Sequence, residues 1–272
     1  MDDVVYLDYA ATSAPRPDAV ADAVAAYLRD VGATPGRSGH RLAVEAGRVA
    51  LRCRRALAAL FGVRGDPGRI AFQPNVTYAL NAALLGLLEP GDRVVRTRYD
   101  HNAIRRPVAA LARRGVAETV VSGRADGSVD LDELDRALRG ARLLVFPHAG
   151  NVLGNVLPLA EMAARAHAHG ALVLVDAAQT AGRLPIDVEA MGIDLLAFTG
   201  HKGLLGPQGT GGLYVREGVE VDPLFSGGTG GESHSADMPL AMPDRLEAGT
   251  QNGPGLAGLL AGVEWVRAEG VD

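Results

Sequence analysis

The sequence has 272 residues, 47% of them hydrophobic, which is ample for a real core and excludes a disordered chain. The formal net charge is −5 with acids and bases interspersed, so there is no basic footprint for nucleic acid and no polybasic membrane patch. A single cysteine, Cys53, excludes a disulfide framework and a cysteine-rich zinc site, and no apolar run approaches the ~18 residues of a membrane span.

The N-terminus, "MDDVVYLDYAATS", is acidic and lacks a signal-peptide core, so a cytoplasmic protein is expected. Two helical stretches follow, Asp18–Asp30 and about Leu42–Phe61. Strand and helix patterns then alternate: "RIAF" (69–72) as a strand, "NVTYALNAALLGLL" (75–88) as a helix, "DRVVRT" (92–97) as a strand, and a helix from about Asn102 to Arg114. "VAETVVS" (116–122) reads as a strand, and "DLDELDRALRG" (130–140) as a helix with acids in its first turn. "ARLLVFPH" (141–148) is a strand, and "LAEMAARAHAHG" (159–170) is a helix closed by Gly170. "ALVLVDAAQ" (171–179), "DLLAFTG" (194–200) and "GTGGLYV" (209–215) complete the strands. The segment 226–245 is rich in Gly, Ser and Pro and reads as a long loop; a last helix covers Leu256–Glu269. Several strands are continuous apolar runs, which implies burial on both faces in a largely parallel sheet covered by helices.

In an open α/β sheet, ligands bind beyond the carboxyl ends of the strands. Asp176 closes "ALVLVD", Lys202 lies just past "DLLAFTG", His101 follows "DRVVRTRYD" and Asn151 follows "LLVFPHAG". The helix starting at Asn75-Val76-Thr77 offers free N–H groups to an anion. Each has a bland reading: an Asp at a strand end is usually a turn residue, a Lys in a glycine-rich loop is usually solvated, a His after a strand is usually structural, and a Thr near a helix start is usually a cap. Together they put an acid, a lysine, an aromatic base and a phosphate cradle at one sheet edge. That set suits pyridoxal 5'-phosphate (PLP), which needs a lysine for its Schiff base, an acid against its pyridinium nitrogen and donors for its phosphate. Desolvation and neighbouring positive charge would lower the Lys202 pKa and make the amine nucleophilic.

The segment "VDAAQTAGRLPIDVEAMGIDLLAFTGHKGLLGPQGTGGLYV" (175–215) closely resembles the class V aminotransferase family, in its cysteine-desulfurase-like branch. So do "YLDYAATSAPRP" (6–17), "TPGRSGH" (34–40), "DHNAIRRP" (100–107), "NVLGNVLP" (151–158) and "RLEAGTQN" (245–252), six ordered motifs spread over essentially the whole chain.

The resemblance implies the large domain of a fold-type-I PLP-dependent transferase: a mostly parallel mixed sheet in an α/β/α sandwich. Residues 1–15 would contribute to the active-site entrance, 16–255 would form the PLP-binding domain, and 256–272 would begin the helix leading to a C-terminal small domain that this sequence lacks. Lys202 would carry the cofactor and shuttle the substrate's Cα proton. Asp176 would pair with the ring nitrogen, Gln179 would bond the ring hydroxyl, and His101 would stack on the ring and take part in proton transfer. Val76, Thr77, Thr199 and His201 would hold the phosphate. Asn151 would lie near the ring hydroxyl and the substrate carboxylate. Thr250 would reach the phosphate of a neighbouring subunit, which implies a homodimer. His40 and Ala10-Ala11 would line the entrance.

The family's nucleophilic cysteine and carboxylate-gripping arginine belong to the region absent here, and neither is assigned. Cys53 lies in the helix "LRCRRALAALFG" and reads as a core residue. Tyr9, Tyr78, Asp100 and Gly150 depart from the family's usual residues. The implied function is a PLP-dependent cysteine desulfurase acting on L-cysteine, with a sulfur-acceptor protein or a chain supplying the small domain as partner. Two other readings stand beside it: another class V reaction (aminotransferase, C–S lyase or epimerase), or a non-catalytic PLP-binding half. "GHKGLLG" lacks the order of a nucleotide-binding loop, and His167 and His169 do not share a helix face, so no metal site is expected. His148 and His234 read as structural or exposed.

Overall fold

A computed structural model of the chain describes residues 4–35, 39–230 and 234–271. The middle of the "TPGRSGH" motif, residues 36–38, lies outside the described residues, as do 231–233 of the long loop.

Seven strands form one sheet: β1 (Ile70–Gln73), β2 (Arg93–Thr97), β3 (Ala117–Val121), β4 (Leu143–Pro147), β5 (Leu172–Asp176), β6 (Leu195–Thr199) and β7 (Gly211–Val215), in the spatial order β1-β7-β6-β5-β4-β2-β3. The strands from β2 to β6 run parallel to their neighbours, while β7 runs antiparallel to both β6 and β1. The sheet is therefore mixed and mostly parallel, as the apolar runs predict. The antiparallel turn of β7 has a local cause. A parallel neighbour needs a long crossover, whereas only residues 200–210 separate β6 from β7.

Among the described residues there are seven α-helices: α1 (Asp18–Ala26), which packs on α7, and α2 (Arg41–Leu60), α3 (Val76–Leu87), α4 (Asn102–Ala112), α5 (Leu131–Ala137), α6 (Leu159–Ala168) and α7 (Gly253–Glu269), which cover the sheet. Alternate side chains of the buried strands go to opposite faces. Val94, Leu143, Val145, Leu174, Leu195 and Leu213 join the core with α3 and α4. Val95, Leu144, Phe146, Val173, Val175, Leu196 and Phe198 join the core with α2, α5, α6 and α7. The result is the α/β/α sandwich. The helix predicted over 18–30 changes pitch: α1 ends at Ala26, and Tyr27–Val31 form a single wide π turn closed by Gly32 at φ +57°. Tyr27 is buried there and its hydroxyl donates to the Ala33 carbonyl at 2.7 Å.

One buried ion pair ties the loop after the sheet back to its edge. Arg54 of α2 donates to both carboxylate oxygens of Glu247, at 2.8 and 3.2 Å. Glu247 also accepts from the Phe72 N–H of β1 at 2.6 Å and from the Gln251 amide. The Arg54 guanidinium lies 4.2 Å from the centre of the Phe72 ring. Burial pushes the Glu247 carboxyl up, and Arg54 opposes that push.

Candidate active site

The parallel register brings the carboxyl ends of β4 and β5 level, Pro147 beside Asp176, with Asp176 also beside Ala197 of β6. A cavity of about 390 Å³ opens at this edge. That is within the usual range for a small-molecule site, roughly 300–1,000 Å³. Asp176 and Lys202 line it, together with His101, Asn151, Gln179 and Val76.

Asp176 is buried and accepts a hydrogen bond from the Ala178 N–H at 2.9 Å. Burial pushes its carboxyl up; the Ala178 hydrogen bond, Lys202 and His101 pull it back. Burial depresses the Lys202 amine and Asp176 opposes that. The two groups thus share one half-buried space. His101 is the N-cap of α4: its Nδ1 accepts from the Ala103 N–H at 3.1 Å. In the neutral ring this leaves the proton on Nε2. Gln179 donates from its amide to the Ala10 carbonyl at 3.1 Å and so joins the entrance wall to the β5 edge. Next to Val76 of the cavity wall, Asn75 caps α3, its Oδ1 accepting from the Tyr78 N–H at 3.1 Å. The first-turn N–H groups of that helix have no intrahelical acceptor, and the helix dipole adds positive potential there.

Lys202 stands in a loop that needs glycine at two positions, 203 and 206. A Cβ on Gly203 would run into the Ala181 carbonyl, and one on Gly206 would come within 2.8 Å of the Leu259 side chain. Leu205 takes a left-handed conformation, φ 59°, and its N–H donates to the Lys202 carbonyl at 2.9 Å. The N-terminal segment closes over the same loop. The Ser13 hydroxyl donates to the Lys202 carbonyl at 2.7 Å, and the Ser13 N–H to the His201 carbonyl at 3.1 Å. Arg16 donates to the Gly206 carbonyl at 3.0 Å and to the Thr12 hydroxyl at 2.9 Å.

The residues at this edge fit PLP. A nucleophilic amine, a buried acid and a helix N-terminus suit an aldehyde, a basic ring nitrogen and a phosphate in turn. A family model described as "Aminotransferase class-V" matches residues 5–272. The chain belongs to the class V aminotransferase family.

Among its relatives, a probable cysteine desulfurase of Pyrococcus abyssi is 34% identical over 99% of this chain and 69% of its own. One of Methanothermobacter thermautotrophicus is 37% identical over 99% of this chain and 68% of its own. The apo structure of a cysteine desulfurase from Thermococcus onnurineus superposes with a TM-score of 0.90 at 33% identity, covering 98% of this chain and 68% of that one. The class V chain described here thus spans about two thirds of the length of the relatives it matches. Members of the class V family use PLP.

Of the residues expected from the sequence, Lys202, His101, Asp176, Gln179, Asn151 and Val76 share the cavity, along with Asp8, Ala10 and Ala11. Thr77, Thr199, His201 and Thr250 do not line it. Thr77 is in the first turn of α3, its carbonyl accepting from the Asn81 amide at 2.8 Å. Thr199 is buried at the end of β6, its hydroxyl 3.5 Å from the Thr210 carbonyl. His201 turns its Nδ1 to the Thr12 hydroxyl at 3.0 Å. Burial, Lys202 and Arg16 hold its imidazole below the usual range. Thr250 is exposed and lines a second cavity of about 320 Å³, with Gln73, Tyr78, Phe225 and Gln251. His40 caps α2 through the Ala43 N–H at 3.3 Å and is not among the cavity's lining residues.

Cys53 is fully buried, and burial pushes its thiol up to about 12, as a core reading requires. His148 is buried against the Thr180 hydroxyl at 3.1 Å, and His234 is exposed. His167 and His169 pair separately with Asp194 and Asp135, and no group of metal ligands occurs among the described residues.

Two further features bear on the site. Lys202 is the only lysine of the chain, so any lysine chemistry has one candidate. Asp100, noted only as a departure from the family, is a buried carboxyl beside His101 that accepts from the Thr97 hydroxyl at 2.7 Å.

Proposed function

We propose that this chain is a PLP-dependent cysteine desulfurase, taking sulfur from L-cysteine and leaving alanine. The observation that carries the reading is that Lys202 and buried Asp176 line one cavity and feel each other's charge, with His101 and Gln179 on the same lining. The names of the relatives supply the substrate. PLP supplies an electron sink that weakens bonds at the carbons of a bound amino acid.

The chain's own residues do the rest. Asp176 would meet the ring nitrogen and keep a proton there, a role that suits a buried carboxyl held by the Ala178 N–H beside Lys202. Lys202, depressed by burial, holds the cofactor through Nζ and then takes and returns the Cα proton. His101 would cover the ring and, with Nδ1 engaged by the Ala103 N–H, present Nε2 for proton transfer. Gln179 and Asn151 orient the ring hydroxyl and the substrate carboxylate. Val76 and Thr77, in the first turn of α3, would supply the phosphate end, and Thr199 and His201 would join them on turning from Thr210 and Thr12. The sulfur passes to an acceptor thiol: the Cβ–Sγ bond breaks, an S–S bond forms, and Cβ gains a proton. Cys53, buried in the core, is not that thiol.

Residues 1–15 serve the entrance, consistent with Asp8, Ala10 and Ala11 at the cavity wall. Residues 16–255 are the cofactor domain, and 256–272 begin a connecting helix, of which 256–269 lie in α7. The chain pairs with a second copy, each Thr250 serving the neighbour's phosphate. The exposed position of Thr250 and the exposed Tyr78–Phe225 ring pair, 6.1 Å between centres, support that surface. No helix among the described residues is long and apolar enough to cross a membrane, in keeping with a cytoplasmic location.

The test is product analysis with PLP, L-cysteine and a reducing thiol. The desulfurase reading predicts alanine and sulfide in equal amounts. Pyruvate in place of alanine would assign a C–S lyase instead, and no turnover would leave a PLP-binding half.

A further inference from the structure

The N-terminal segment holds the Lys202 loop by its backbone. The Lys202 carbonyl accepts from two donors, the Ser13 hydroxyl at 2.7 Å and the Leu205 N–H at 2.9 Å. Ser13 is fully buried. The carbonyl of the preceding residue, His201, accepts from the Ser13 N–H and from the Thr12 hydroxyl, both at 3.1 Å. The Thr12 oxygen also receives Arg16 at 2.9 Å and faces His201 Nδ1 at 3.0 Å. The carbonyls of His201, Lys202 and Gly206, around and within the lysine turn, are thus pinned by side chains about 190 residues away in sequence. The same short segment carries Ala10 and Ala11 in the cavity wall, and Gln179 grips Ala10.

We propose that Ser13 and Thr12 are positioning residues for Lys202: their hydroxyls fix the lysine's backbone, and through it the place of the amine in the cavity. This deepens the reading of Lys202 as the cofactor-bearing residue, and its functional meaning rests on that reading. The physical reason is leverage. A lysine reaches its target through four flexible carbons, so the amine is placed reproducibly only if its Cα is fixed. A backbone carbonyl with both acceptor sites filled cannot rotate away without leaving buried donors unpaired. The clamp also joins the entrance wall to the catalytic loop.

Because Lys202 is the only lysine, its amine can be followed in the cofactor-free protein. Competitive acetylation across pH, read by mass spectrometry of the peptide containing Lys202, gives its titration midpoint. The titratable groups that line the cavity with that amine are Asp176, Asp8 and His101, and His201, its chain neighbour, feels its charge. Wild type, Ser13→Ala, Thr12→Val and Thr12→Ser are compared, each checked by melting for a folded state. A loosened lysine turn lets the amine into water, so the midpoint rises. The expected rise in Ser13→Ala and Thr12→Val is about one pH unit, about tenfold less neutral amine at pH 8. Thr12→Ser, which keeps the hydroxyl, matches wild type. If Ser13→Ala does not fold, the Thr12 pair decides alone.

Unchanged midpoints in Ser13→Ala and Thr12→Val overturn the proposal. So does a Thr12→Ser shift as large as that of Thr12→Val. Capture of added PLP, followed by absorbance in the same four proteins, is scored separately. Wild type that takes up no PLP counts against the enzyme reading, while the acetylation midpoints still decide the clamp.

Discussion

The Thr97 hydroxyl donates to the Asp100 carboxyl at 2.7 Å inside the protein, one residue before His101 enters the cavity. The other Asp100 oxygen has no hydrogen-bond partner, and Arg96 stands 3.6 Å from it. Burial dominates, and the carboxyl is pushed up to about 8 from 3.8, against the pull of Thr97 and Arg96. A carboxyl raised in the folded state binds a proton that the unfolded chain has released. Its stabilisation is fully present below the unfolded value near 4 and is lost as pH rises through about 8. We predict that the melting temperature of the wild type, minus that of Asp100→Asn, falls steadily from pH 4 to pH 8 in the cofactor-free protein. Asp176 and Glu247, which burial pushes the same way, are common to both proteins and largely cancel in the difference. A flat difference across that range would contradict the buried, protonated Asp100.

Arg54 and Glu247 make the second prediction. Glu247→Ala leaves an arginine buried without its partner, which costs about 3–5 kcal/mol. For a chain of this size that lowers the melting temperature on the order of 10 °C. Replacing both residues with apolar ones of similar volume costs much less, because no lone charge remains. Thermal melts of the single and double variants check both statements. The Glu247→Ala loss also frees residues 246–252, which carry Thr250.

The elements were legible because each announces itself physically. Continuous apolar strands, an asparagine before the α3 helix and glycine after α6 placed the sheet edge, and with it Asp176, His101 and Lys202. What escaped was long range. Ser13 is an ordinary serine until residue 202 is folded against it, and no local pattern links positions 189 apart. Asp100 looked like a minor variation because burial is a property of the packed turn and not of the residue. The π turn at Tyr27–Val31 buries the Tyr27 ring, a tertiary contact that no local pattern announces. Thr199 and His201 sit where the sequence puts them, at the end of β6, yet their side chains turn to Thr210 and Thr12.

Cys53 supplies the third prediction. A fully buried thiol pushed up to about 12 does not react with iodoacetamide in the folded protein and reacts promptly after unfolding. Cys53→Ala leaves sulfur release from L-cysteine unchanged once its stability is allowed for. Rapid alkylation of the native protein would contradict the core assignment.

Asp176→Asn forms the fourth. The amide has nearly the same shape and can still accept from the Ala178 N–H, but it cannot hold a charge against a protonated ring nitrogen. Turnover is predicted to fall about 10²–10⁴-fold while PLP capture by Lys202 persists. Steady-state rates beside the cofactor absorbance separate the two effects. Near-normal turnover would remove Asp176 from the chemistry.

The most direct test of the central claim is borohydride reduction of the PLP-loaded protein followed by peptide mass analysis, wild type beside Lys202→Ala. The account predicts one pyridoxyl-phosphate adduct, on the peptide containing Lys202, and none in the variant. A label on another residue, or equal labelling of both proteins, would contradict it.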